Sequence, residues 1–165
     1  MTQPGDLLLM ASVLGITATA LFDVWSLGRK ALSAAAPPDY ALVGRWFGHL
    51  AKGRFRHQSI AKAPPVRAER LIGWAMHYLI GVAFALVLLG FAGIEWLRNP
   101  TLVPAMVVGI GSVIAPFLLL QPGMGQGVAA RRTPRPWAAR SRSLINHAVF
   151  GAALYLAGWI HFILL

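Results

Sequence analysis

Residues Leu71 to Phe91 read LIGWAMHYLIGVAFALVLLGF, an unbroken stretch without Asp, Glu, Lys or Arg. A run of about 20 apolar residues crosses roughly 30 Å of hydrocarbon as an α-helix, because each residue advances about 1.5 Å. Three more runs reach that length: Leu7 to Leu27, Leu102 to Leu120 and Leu144 to Leu165. None shows the polar–apolar alternation of a membrane barrel strand, and a helix satisfies its own backbone groups. The expectation is an all-α membrane protein. It is one domain over 1–165, with four transmembrane helices at about 7–27, 71–91, 102–120 and 144–165 and loops at 28–70 and 121–143.

Composition agrees. The chain is 57% hydrophobic and 12% charged, with a mean hydropathy of +0.62, which excludes an ordinary soluble domain. It has no cysteine, so disulfides, thiolate metal sites and thiol catalysis are excluded.

The net charge of +10 acquires meaning from its placement. Nine cations lie between the first two runs: Arg29, Lys30, Arg45, Lys52, Arg54, Arg56, Lys62, Arg67 and Arg70. Five lie between the last two, namely Arg131, Arg132, Arg135, Arg140 and Arg142, and only Arg98 lies elsewhere. Cations are retained on the cytoplasmic side, so both basic loops are expected there and both termini outside. Ala34 to Ala36 after the first run invite a signal-peptide reading, but Met1 to Asp6 carries no Lys or Arg, and the cations follow the run. A retained anchor fits that order.

Within the first basic loop, Asp39 can cap a short helix that places Leu42, Val43, Trp46, Phe47 and Leu50 on one face, with Gly53 ending it. Two placements are open. It can lie on the inner leaflet, with Trp46 and Phe47 among headgroups, or pack against the cytoplasmic end of the bundle.

A shift of 70 residues superposes Pro64, Ala68, Arg70, His77, Gly81, Ala83 and Leu86 on Pro134, Ala138, Arg140, His147, Gly151, Ala153 and Leu156. Either the chain is a 2+2 parallel repeat, each half carrying His-x3-Gly on its second helix, or the apolar matches arise by chance. The Pro, Arg and His pairs carry the argument for duplication.

Ionisable groups inside a bilayer are costly and need a reason. Asp23, His77 and His147 each lie five to seven residues from a basic boundary, roughly 8 to 10 Å inside it, and Gln121 closes the third run on the same side. These four form the candidate polar site. Against it stands a purely structural reading, in which a histidine bonds a backbone carbonyl across a close helix contact allowed by Gly81 and Gly151. His161 falls at the outer interface. His49 and His57, eight apart in a loop, do not have metal-site spacing, so no metal is expected. Gly123, Gly125 and Gly127 match neither nucleotide-loop pattern, and no catalytic motif is recognisable. Arg131, Arg132 and Arg135, spaced by Pro134 and Pro136, together with Arg140 suit contact with lipid phosphate or another anion. Positive-inside placement already explains the arginines, so no nucleic acid is expected as a partner.

The motifs YALVGRWFGHL, GRFRH, ERLIGWAMHYLIG, APFLLLQPGMGQGVAARRTPRP and NHAVFG resemble a bacterial integral-membrane family catalogued as domain of unknown function 2938, most specifically from about Tyr40 to Gly151. The resemblance implies a four-helix, multi-pass protein of the bacterial inner membrane. It supplies no catalytic residues and leaves the question of enzymatic activity open. The functional expectation is binding, transport or an accessory role toward a small or lipid-like anion, with the bilayer and its anionic lipids as partners. Alternatives are a structural or assembly subunit, as a homo-oligomer or within a larger membrane complex, and a haem protein with His77 and His147 as axial ligands. No cofactor is expected in the first two cases.

Overall fold

The computed structural model describes residues 4–33 and 38–164, so Ala34 to Ala36, weighed above as a cleavage site, lie outside the described residues. The helices are α1 (Pro4–Ser33), α2 (Tyr40–Leu50), α3 (Glu69–Ala92), α4 (Leu102–Gly111), the single turn α5 (Gln121–Gly123) and α6 (Pro136–Leu164). Among the described residues there is no strand. Among the described residues, four helices are long and apolar enough to cross a membrane: Gly5–Ala31, Glu69–Ala92, Leu102–Gly123 and Pro136–Leu164. The fold is therefore all-α with four membrane-capable helices.

The boundaries differ from the apolar runs in two informative places. The last helix starts at Pro136, two turns before Leu144, so the stretch 136–143 expected in a loop is helical. Proline suits a first helical position, and the following Trp-Ala-Ala-Arg-Ser-Arg-Ser tolerates helix even though its charges end the apolar run. The third run is not a uniform helix. Pro116 has no N–H to donate, and there the ladder widens into a π-helical turn over Pro116–Leu120, closed by a hydrogen bond from the Gln121 N–H to the Pro116 carbonyl. One α-helical turn, α5, follows.

The chain divides into two compact units. The first comprises Met1–Pro37, Tyr78–Gly111 and Asn146–Leu165. Its core is small and aliphatic: Ala11, Leu14 and Ala18 of α1, Ala85, Leu88 and Leu89 of α3, Ala105 and Val108 of α4, and Ala153, Leu154 and Ala157 of α6. Small residues let helices approach closely, the main source of packing energy where hydrocarbon rather than water surrounds the bundle. At the crossing of α1 and α3, Gly15 abuts the backbone of Gly81 and Val82. Gly81 faces Thr19, whose buried hydroxyl donates to the Gly15 carbonyl at 2.7 Å. At the crossing of α4 and α6, Gly151 faces Ala105 and Met106 and abuts Gly109. Gly81 and Gly151 are partners in the 70-residue shift, so both crossings use the glycine of a His-x3-Gly element.

The second unit comprises Pro38–His77 and Ser112–Ile145. Its core is Trp46, Ile60 and Met124, with Leu42, Phe47, Leu50, Phe55, Ala63 and Leu120 packed around them. The expected α2 is present. Asp39 caps it by accepting the Ala41 N–H at 3.0 Å, and Gly53, at φ +77°, ends it. There the N–H groups of Gly53 and Arg54 return to the carbonyls of Leu50 and His49, the paired bonds of a Schellman motif. Trp46 is 5% exposed, its indole packed in the core of the second unit with Ile60 and Met124.

Candidate functional site

The second unit holds the chain's charge. Twelve of the fifteen Lys and Arg fall in it, against two acids, Asp39 and Glu69. In the first unit Arg29, Lys30 and Arg98 are matched by Asp6, Asp23 and Glu95, so the whole net charge of +10 belongs to the second. Glu69 is consumed locally. Arg45 of α2 donates to both its carboxylate oxygens at 2.8 Å, and the same guanidinium donates to the carbonyls of Ala61 and Ala63 at 3.2 Å. The Val66 N–H adds a third bond to Glu69 at 3.0 Å. Hydrogen bonding to Glu69 holds the Arg45 guanidinium above its ordinary pKa, outweighing the opposing effect of burial. With Glu69 paired, Asp39 is the remaining acid, and it is committed to capping α2.

What the cations ride on is a clasp between the two basic stretches. The His57 N–H donates to the Gly123 carbonyl at 2.9 Å and the Ile60 N–H to the Met124 carbonyl at 3.1 Å. The His57 ring adds a second bond to the Gly123 carbonyl at 3.2 Å. Trp46 lies directly on Gly123, its indole N–H donating to the Phe55 carbonyl at 2.8 Å. Gly125, at φ +94°, brings its backbone against the carbonyl of Gln58. Gly123 and Gly125 are thus close-packing positions, needed where two backbones and an indole meet.

The expected anion contacts separate into two kinds. Arg131, Arg132 and Arg135 are exposed. Arg140 is partly buried, donates through Nε to the Ala129 carbonyl at 2.8 Å and lies 4.8 Å over the Trp137 ring. It ties the start of α6 to the preceding loop.

Each of the four polar residues expected at one depth has its own neighbour. In the first unit, Asp23 accepts the Tyr78 hydroxyl at 3.1 Å, and His147 hydrogen-bonds the backbone of Gly109 beside the α4–α6 crossing. In the second, His77 Nε2 lies 3.0 Å from the Tyr40 hydroxyl, with the two rings stacked at 4.3 Å. Gln121 is buried and donates to the Ser143 hydroxyl at 3.3 Å, while its carbonyl oxygen has no partner among the described residues. Sequence reasoning missed Tyr40, Tyr78 and Ser143, since a hydroxyl neighbour leaves no spacing pattern. It also missed that His49 and His57 meet, their ring centroids 4.9 Å apart.

The family model described as protein of unknown function (DUF2938) matches residues 12–161, covering all six helices in whole or in part. The chain belongs to this family. No curated protein and no solved structure matches it. The DUF2938 match reaches from within α1 to the last turn of α6, so residues of both units fall within it.

Proposed function

We propose that this DUF2938 protein is a multi-pass protein of the bacterial inner membrane, both termini outside, whose basic unit lies at the cytoplasmic face and binds anionic phosphate groups of lipids or small solutes. One observation carries the reading: the entire net charge sits in one unit whose acids are already committed, while ten of its cations, Arg131, Arg132 and Arg135 among them, are exposed. A basic surface beside membrane-capable helices attracts anionic headgroups with about 1 kcal/mol per cation near the surface. The positive-inside bias supports a cytoplasmic side for that unit.

The test uses the full chain in neutral detergent, melted with a glycerophosphate lipid of net negative charge, with a zwitterionic phosphocholine lipid, or with inorganic phosphate. The reading expects stabilisation by the anionic lipid, weakened by salt and by Arg131, Arg132 and Arg135 all changed to Gln. Stabilisation by phosphate as well identifies the ligand as a free anion. Equal responses to both lipids, with none to phosphate, would sink the reading.

A second reading, a structural or assembly subunit, is favoured by the local partners of Asp23, His77, Gln121 and His147, which fit a role in holding helices together. It expects co-purification with a larger membrane complex. A third reading, haem ligated axially by His77 and His147, would be signalled by a Soret band in the purified protein.

A further inference from the structure

His49 and His57 take no part in the anion-binding reading, yet the turn at Gly53 brings their rings to 4.9 Å between centroids at an interplanar angle of 66°. Each ring spends one nitrogen on a carbonyl: His49 Nε2 lies 2.9 Å from the Pro64 oxygen and His57 Nδ1 3.2 Å from the Gly123 oxygen. A carbonyl only accepts, so these nitrogens carry the hydrogens. In the neutral rings, Nδ1 of His49 and Nε2 of His57 are then bare lone pairs. His57 is 7% exposed, and its Nε2 is buried without a hydrogen-bond partner among the described residues. A buried acceptor without a donor asks for an explanation such as a bound ion.

We propose that His49 and His57 form a two-imidazole site for a divalent transition-metal ion, with Cu2+ bound more tightly than Ni2+ or Zn2+. Two imidazoles on one ion, with bonds of about 2.1 Å and an angle of about 90 to 110°, have centroids roughly 4.5 to 5.3 Å apart. The observed separation falls in that range. A carbonyl on the second nitrogen is also how ligating histidines are oriented and their tautomers fixed. Imidazole without thiolate suits the later first-row divalent ions, of which Cu2+ binds most tightly. Among the described residues no group of three or more His, Cys, Asp or Glu could hold a metal. The protein thus contributes two ligands and leaves the other positions to water or a small ligand. Exposed Lys52, Arg54 and Arg56 oppose a cation by charge, so the ion exchanges and is not a permanent structural element.

The experiment is a Cu2+ titration of the full chain, purified in neutral detergent through a histidine-free affinity tag and read by electron paramagnetic resonance. One Cu2+ per chain is expected, with hyperfine coupling from two imidazole nitrogens. His49→Gln and His57→Gln should each weaken binding more than about tenfold, whereas His161→Gln and His77→Gln leave it unchanged. Melting curves establish that each variant is folded. Should His57→Gln unfold, the wild-type spectrum and His49→Gln still decide. A spectrum without two coupled imidazoles, or wild-type affinity in a folded His49→Gln or His57→Gln variant, overturns the site.

Discussion

Gly109 of α4 and Gly151 of α6 meet backbone to backbone: a methyl group on Gly109 would overlap the Cα of Gly151. The first crossing repeats the relation, with Gly15 of α1 against the backbone of Gly81 and Val82. Backbone cannot rotate aside as a side chain can, so Gly109→Ala and Gly15→Ala must push helices apart. Each is expected to cost about 1 to 3 kcal/mol, the usual range for overpacking. Gly90 has open space around it, and Gly90→Ala should be neutral or slightly stabilising. Thermal melting of the three variants in one detergent checks the ranking, and equal melting temperatures would contradict the packing account.

Trp46 holds the clasp from one side and Gly123 from the other. Trp46→Phe removes the bond to Phe55 while keeping most of the ring, at an expected cost of about 1 kcal/mol. Trp46→Ala empties the core of the second unit and should cost about 3 to 5 kcal/mol. Gly123→Ala forces a methyl into the indole. If the account is right, faster proteolysis between Lys52 and Lys62 accompanies each loss of stability, because His57 and Ile60 are anchored to Gly123 and Met124.

Arg45 and Glu69 have side chains only 14% and 18% exposed, so their pairing is worth more than a surface ion pair. Glu69→Gln leaves Arg45 poorly matched and should destabilise by about 1.5 to 3 kcal/mol. Adding Arg45→Met to Glu69→Gln should recover part of that loss, since the unmatched cation is then gone. A double-mutant cycle by thermal or chemical denaturation measures the coupling, and strict additivity of the two changes would mean the pair contributes nothing.

Helix number and class were legible in the sequence because hydropathy is a local property and each run is long enough to be unambiguous. The short α2 was legible for the same reason, as Asp39 and Gly53 are local signals that the folded chain uses as expected. The start of α6 was not, because Arg140 and Arg142 end the apolar run without ending the helix. Nor was the π turn, since Pro116 announces a disturbed ladder without saying how it is repaired. The clasp lay furthest out of reach. His57 and Gly123 are 66 residues apart and meet through a backbone carbonyl, which any residue supplies. Likewise His49 and His57, eight apart, acquire their meeting from the Gly53 turn and from carbonyls at Pro64 and Gly123, none of which a spacing rule encodes.

The proposed cytoplasmic role of the basic unit depends on which side of a membrane that unit faces. Reporter fusions after Arg98 and after Arg135 measure this directly, one between α3 and α4 and the other at the entry to α6. The account predicts an external signal from the Arg98 fusion and a cytoplasmic signal from the Arg135 fusion. An internal Arg98 with an external Arg135 would place the charge on the outer face and contradict it.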